Sequence, residues 1–378
     1  MNHTGFHAFL PLFRTALLFL VLISRPLLAD QPDTRHGSVE DGRTTLSFEG
    51  GFTLTWQHAS ASHIDDEAAG SLDLVATLPM GGGIWTLYVE GSTTPATHGV
   101  SAWLPEANAD VGTALNSDGH GRLQVSVLHY THPLQGGQIT AGLLDPTGFL
   151  DRSEVANDET RQFLGTSFVN NTVIEFPDYH LALTWHHNAT LKSPGITLLA
   201  GSSHGLTDND GSYAGLVHAN EKGKGVFAAA EGYGYLDRIL WRFGIWCNTA
   251  DHPRLDDPSR NSSNWGLYTS VDGNLDGGFR WNIRLGWTTP KVSEATNFVA
   301  LVLEHSMPLA TIGAGISRTG AAPDLEKGAA TLQAEFYARF DTPWGLEISP
   351  DVQWIRNSGL DRGAGDNWVA GIRATYLF

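Results

Sequence analysis

No stretch after residue 29 is apolar for long enough to cross a bilayer as a helix, yet residues Trp368 to Phe378 alternate with a period of two. Trp368, Ala370, Ile372, Ala374, Tyr376 and Phe378 fall on one face, and Val369, Gly371, Arg373 and Thr375 on the other. This pattern predicts a strand with one face in an apolar medium and the other in a polar one. A soluble sandwich would leave that stripe of Trp, Tyr and Phe in water, which is unfavourable. Lipid suits it, and in lipid a chain without a spanning helix can satisfy its backbone groups only as a closed barrel.

The same rhythm recurs from Thr45 onwards. In FRWNIRLGW, Trp281, Ile283, Leu285 and Trp287 oppose Arg280, Asn282, Arg284 and Gly286. In TLQAEFYARFD, Leu332, Ala334, Phe336, Ala338 and Phe340 oppose Gln333, Glu335, Tyr337, Arg339 and Asp341. GLEISPDVQWI sets Leu346, Ile348, Val352 and Trp354 against Glu347, Ser349, Asp351 and Gln353. Aromatics close several stripes, as in Phe52 to Trp56, Leu181 to Trp185 and Trp241 to Ile245, as two interfacial girdles require. Gly81-Gly82-Gly83, Gly136-Gly137, Asp276-Gly277-Gly278 and Thr342 to Gly345 read as turns. Ala59–Gly70, Ser92–Arg122, Asp251–Asn264 and Gly320–Gly328 are longer and polar, and read as extracellular loops. The expectation is an all-β transmembrane antiparallel β-barrel of about 16 strands, with short periplasmic turns and long extracellular loops.

The amino-terminal segment is consistent with export. Arg14 precedes the apolar run Thr15 to Ile23, and Pro26 and Ala29 precede Asp30, the layout of a signal peptide cleaved after Ala29. Residues 1–29 are therefore read as signal peptide, 30–44 as a polar leader and 45–378 as the barrel domain. The remaining 349 residues carry 40 acidic and 21 basic side chains, a balance that argues against nucleic acid as a partner. Cys247 is the sole cysteine, so pairing and packing must hold the fold without an intrachain disulfide.

Two segments resemble the carbohydrate-selective outer-membrane porins of the OprB type. They are GLLDPTGFLDRSEVANDETRQFLGTSFVNNTVIEFPDY, Gly142 to Tyr179, and EISPDVQWIRNSG, Glu347 to Gly359. Between them, YLDRILWRFGIWCNTADHP and NWGLYTSVDGNL are similar to the Arg-bearing and Gly-x-Tyr strands of that family. Ser358 stands where the family usually has Pro, and the region before residue 140 shows no match. The resemblance implies a water-filled channel for passive diffusion of mono- or oligosaccharides, without enzymatic activity. It also implies contact with outer-membrane lipid and lipopolysaccharide, and existence as a monomer or homotrimer. The terminal aromatic, Phe378, resembles the signal by which such barrels engage the barrel-assembly machinery.

Sugars suit aromatic faces flanked by charged or amide groups. The inward stripes supply Arg242, Tyr268, Arg280, Arg284, Glu335, Tyr337, Arg339, Asp351 and Gln353 as candidate pore-lining and substrate-binding residues. Taken singly, any of them could instead be a structural ion-pair or hydrogen-bond partner. No cofactor or metal is expected. His186-His187 lacks helical His spacing or Cys partners, and the acids of Asp145–Glu159 depart from the calcium-loop pattern and read as a solvated periplasmic or pore-side turn. Two other classes compete: a general or cation-preferring pore, favoured by the acidic balance, and a secreted β-rich polysaccharide-binding protein, favoured by 12 Trp. A membrane-barrel enzyme, which would need a nucleophile with a base near the lipid or loop rim, is a further alternative.

Overall fold

The structure, a computed structural model, describes residues 45–190, 193–207, 213–217 and 224–378; the signal-peptide and leader readings lie outside them. The strands are β1 (Ser47–Ala59), β2 (Glu67–Met80), β3 (Gly83–Ser92), β4 (Leu123–Leu134), β5 (Gly137–Leu144), β6 (His180–His187), β7 (Gly195–Ser202) and β8 (Val226–Leu236). They continue as β9 (Ile239–Pro253), β10 (Asn261–Leu275), β11 (Phe279–Thr288), β12 (Ala295–Ser306), β13 (Thr311–Ala321), β14 (Thr331–Asp341), β15 (Leu346–Arg356) and β16 (Asp366–Leu377). Each pairs antiparallel with its sequence neighbours, and β1 pairs with β16, so the sheet closes into a sixteen-stranded barrel without an open edge.

Turns and loops segregate to opposite rims. Gly81 and Gly82, both at positive φ, connect β2 to β3, and Gly277 and Gly278 complete the equivalent link between β10 and β11. A side chain would be strained at those dihedrals, so glycine permits the tight reversal. The long connections leave from the other rim. Two of them, 93–122 and 145–179, carry the short helices α1 (Val100–Trp103) and α2 (Thr166–Val169).

The faces sort as the alternation predicts. Trp368 and Ile372 are exposed on the outside of β16, while Arg373 and Thr375 are buried within. On β11, Ile283, Leu285 and Trp287 face out, and Asn282 and Arg284 face in. Aromatics gather at both rims. At the turn rim Trp85 lies 5.2 Å from Tyr130 and Phe52 lies 5.6 Å from Phe378; at the loop rim Trp265 meets Trp287 edge-on at 5.0 Å. Such bands place the amphipathic rings at the two lipid–water boundaries.

Two loop boundaries are tighter than the sequence suggests, because β9 extends to Pro253 and β10 begins at Asn261. The larger correction concerns Ser92–Arg122, read from its polarity as an extracellular loop. Val100, Leu104 and Ala107 within it are buried, packed with Ala59, Ile355 and Val369 from β1, β15 and β16. The segment therefore folds into the barrel: its few apolar residues find the inward face of the wall, and its backbone groups find partners there.

Candidate functional site

The inward wall of β11 to β14 is not polar throughout. Phe298, Ala300 and Val302 on β12 and Tyr337 on β14 form a buried cluster with Val155, Ala156, Phe163, Phe168 and Val173. Segment 145–179 thus lies against the interior wall, and its apolar side is removed from the lumen water. Phe163 meets Tyr337 edge-on at 5.0 Å. Gly315 on β13 leaves room for Phe168, since a Cβ there would stand 2.7 Å from the ring.

Charged wall residues fasten the segment by its backbone. Arg284 Nη1 donates to the carbonyls of Phe168 (3.0 Å) and Val169 (3.1 Å); its Nη2 donates to those of Asp151 (3.0 Å) and Ala156 (2.6 Å) and to Asn157 Oδ1 (2.5 Å). The Glu335 carboxylate accepts from the Leu164 and Gly165 amides at 2.6 and 2.8 Å. Arg339 Nη1 donates to the Arg161 carbonyl at 2.8 Å, and Arg161 in turn pairs with Glu347. From β16, Arg373 donates to the carbonyls of Glu159 (2.5 Å) and Gln162 (2.7 Å). The five donors of a guanidinium suit it to collecting carbonyls from a non-repetitive backbone, as Arg284 does.

Segment 93–122 is held by amides. Gln57 and Gln353 donate to the Ala107 carbonyl at 3.0 and 2.8 Å, and Gln333 donates to that of Glu106 at 2.9 Å. The two segments also bond directly, Ala109 N to Leu164 O at 2.8 Å and Thr166 N to Glu106 O at 3.0 Å. They form one continuous inner layer.

All nine sequence-predicted residues lie on inward-facing positions, but the inner layer or neighbouring side chains cover most of them. Arg284, Glu335, Arg339 and Gln353 bond segment backbone as described. Arg242 pairs with Asp272 at 2.7 Å, and Tyr268, 2 % exposed, donates to Glu231 at 2.9 Å. Tyr337, fully buried, donates to Glu304 at 2.7 Å, and Asp351 accepts from Gln353 at 2.9 Å. Arg280, paired with Glu304, keeps 38 % of its side chain exposed. Alternation identifies the inward face correctly, but which inward residues remain wet depends on what lies over them.

The groups left toward the lumen lie largely on the inner layer. Arg152 and Glu154 are exposed, and Asp158, Glu159, Thr160 and Gln162 are half-buried. Asp73 on β2 is half-buried and accepts from Tyr88 at 2.5 Å. Burial, reinforced by the charges of Asp110 and Asp158, raises the Glu159 carboxyl well above its ordinary range. Asp110 is pushed up to about 7, foremost by burial, against the lowering effect of its bond from Ser71. The acids of Asp145–Glu159, read from the sequence as a solvated periplasmic or pore-side turn, instead belong to a segment that leaves from the loop rim and packs inside the barrel, with Asp151 buried. A sequence signal for that packing is the β12 run Phe298 to Leu303, apolar on both faces, which needs a cover inside the barrel as well as lipid outside.

A closed antiparallel barrel with turns at one rim, loops at the other and a loop folded along its interior is the porin fold. OprB of Pseudomonas putida superposes with a TM-score of 0.70 over 88 % of this chain and 94 % of that one, at 13 % identity. Variants of the Rhodopseudomonas blastica porin superpose with TM-scores of 0.54 and 0.55 over 88 % of this chain and all of theirs, at 12 and 13 % identity. No known family's sequence profile matches the chain. An uncharacterized protein of Aquifex aeolicus is 39 % identical over 75 residues, a match that spans 20 % of this chain and 23 % of that protein.

Proposed function

We propose that the protein is a bacterial outer-membrane porin, exported through the signal peptide of residues 1–29, and that it passes sugars by passive diffusion. The observation that carries this reading is the inner layer: a lumen narrowed by a fixed, charged segment brings a passing solute close to hydrogen-bonding groups. Arg152, Glu154, Asp158, Glu159 and Gln162 offer the donors and acceptors that sugar hydroxyls use. The resemblance of Gly142 to Tyr179 to carbohydrate-selective porins supports the same solute class. Among the nine inward residues, Arg280 is the one proposed to meet solute directly. The others are proposed to act on it through the segments they hold or the wall they shape.

A second reading, a cation-preferring pore without sugar recognition, is favoured by the grouping of Asp73, Asp110, Asp158 and Glu159. One experiment separates the two. Purified protein in a planar bilayer should carry ion current that falls in a concentration-dependent way with added glucose or short oligosaccharides. Unchanged current across a panel of neutral sugars would leave the cation-preferring pore as the better account, and absence of channels would overturn both.

A further inference from the structure

Among the described residues, a recess of about 270 Å³ lies at the loop rim. Its lining includes Glu175, Phe176, Ser203, Asn248, Asp251 and His252. They come from segment 145–179, the connection after β7 and the loop end of β9. Its volume lies just below the roughly 300–1,000 Å³ of ligand clefts, which suits a single sugar ring better than a larger molecule.

The chemistry of the recess centres on Glu175. Its Oε1 accepts from Asn248 Nδ2 at 2.8 Å and from His252 Nε2 at 2.6 Å, and its Oε2 accepts from Asn264 Nδ2 at 2.7 Å. Three partners fix the carboxylate, yet Oε2 retains acceptor capacity, and 37 % of the side chain is exposed. His252 Nδ1 faces the Ala250 carbonyl at 2.9 Å, so both ring nitrogens face acceptors. A ring that keeps both bonds carries two protons and a positive charge. That charge offsets the Glu175 carboxylate, and Asp251, exposed at the same recess, adds a second acceptor, so the hydroxyls of a neutral polyol find positioned partners there. Phe176, half-buried against Phe227 at 6.2 Å, adds an aromatic surface beside it.

We propose that this recess is a vestibular docking subsite for one sugar ring, occupied from the loop side before the solute reaches the narrowed lumen. The proposal rests on the sugar-porin reading and adds a direction to it. Sugar captured at the loop rim is held next to the constriction, so association from that side is faster than from the turn side.

The test is sugar block of single-channel current with glucose or maltose added to one side of the bilayer at a time. In the native protein the association rate from the loop side should exceed that from the turn side. Glu175→Gln should lower the ratio of the two rates by about fivefold, the equivalent of one ordinary hydrogen bond. Phe176→Leu, which keeps apolar volume, should lower it as well. If the native protein shows block but the ratio is unchanged in both variants, the vestibular subsite is overturned and the sugar-porin reading stands. If sugars do not block the native channel from either side, that reading fails and the subsite with it.

Discussion

Arg284 shows how one wall residue can set the width of the lumen. Its guanidinium collects four carbonyls and an amide oxygen from segment 145–179 while lying 3.5 Å from the Asp151 carboxylate. Removing it strands several buried acceptors, each of which costs about 1–3 kcal/mol when left without a donor. Arg284→Ala should therefore unseat the segment, giving larger and noisier single-channel conductance. Arg284→Lys should lie between, because a compact ammonium cannot reach the same set of acceptors. Native conductance in both variants would show that the segment is held elsewhere. Asp110 and Asp151, both pushed up to about 7 by burial foremost, predict a pH effect. Their neutral forms stabilise the inner layer fully below the ordinary value of 3.8, and that contribution is lost as pH rises through about 7. The lumen gains negative charge over the same window, so cation preference, read as reversal potential in a salt gradient, should rise between pH 5 and pH 9. Asp110→Asn should flatten that rise; an identical pH profile in the variant would contradict the assignment.

At the scale of elements, the barrel and its inner layer are stabilised by different interactions. Strand pairing closes the wall, whereas the layer depends on apolar contacts such as Phe163 and Phe168 against β12 and β14, together with the bonds from Arg284, Arg373 and Glu335. Loss of a buried phenylalanine costs about 3–5 kcal/mol through lost transfer energy and the cavity left behind. Phe168→Ala should fall on the layer and spare the wall. Conductance should rise while the fraction of protein migrating as folded barrel stays near native. A parallel loss of folded barrel would mean that wall and layer fold as one unit.

At the scale of the molecule, closure is made where β1 meets β16. Gly50 N donates to the Phe378 carbonyl and Phe378 N donates to Gly50 O, both at 2.9 Å, beyond the last residue of β16. The Phe378 ring lies outside the barrel, between Phe52 at 5.6 Å and Tyr376 at 6.3 Å. Deleting Phe378 should lower the yield of folded barrel by removing this closing pair and its aromatic contacts, with native conductance in the molecules that fold. Heat-modifiable gel mobility reports the first quantity and single-channel recording the second. Undiminished yield would place closure in the remaining β1–β16 ladder alone.

Alternation by itself determined the wall. Because successive strand residues point to opposite sides, Trp281, Ile283 and Leu285 had to face one medium and Arg280, Asn282 and Arg284 the other, and the length after residue 29, at roughly ten residues a strand, led to about sixteen strands. What lies against a face is not periodic. Segment 93–122 reads as a solvated loop because its polar residues are numerous, and Arg284 and Gln353 read as lumen-facing because no rule of sequence spacing brings Phe168 or Ala107 to them. Contacts such as Gln353 to Ala107, 246 residues apart, are fixed only once the barrel has closed around the chain that must fill it. The inner layer was therefore decided by tertiary structure: with the inward apolar surface of β12 and the buried backbone groups of two segments in one confined space, each satisfies the other.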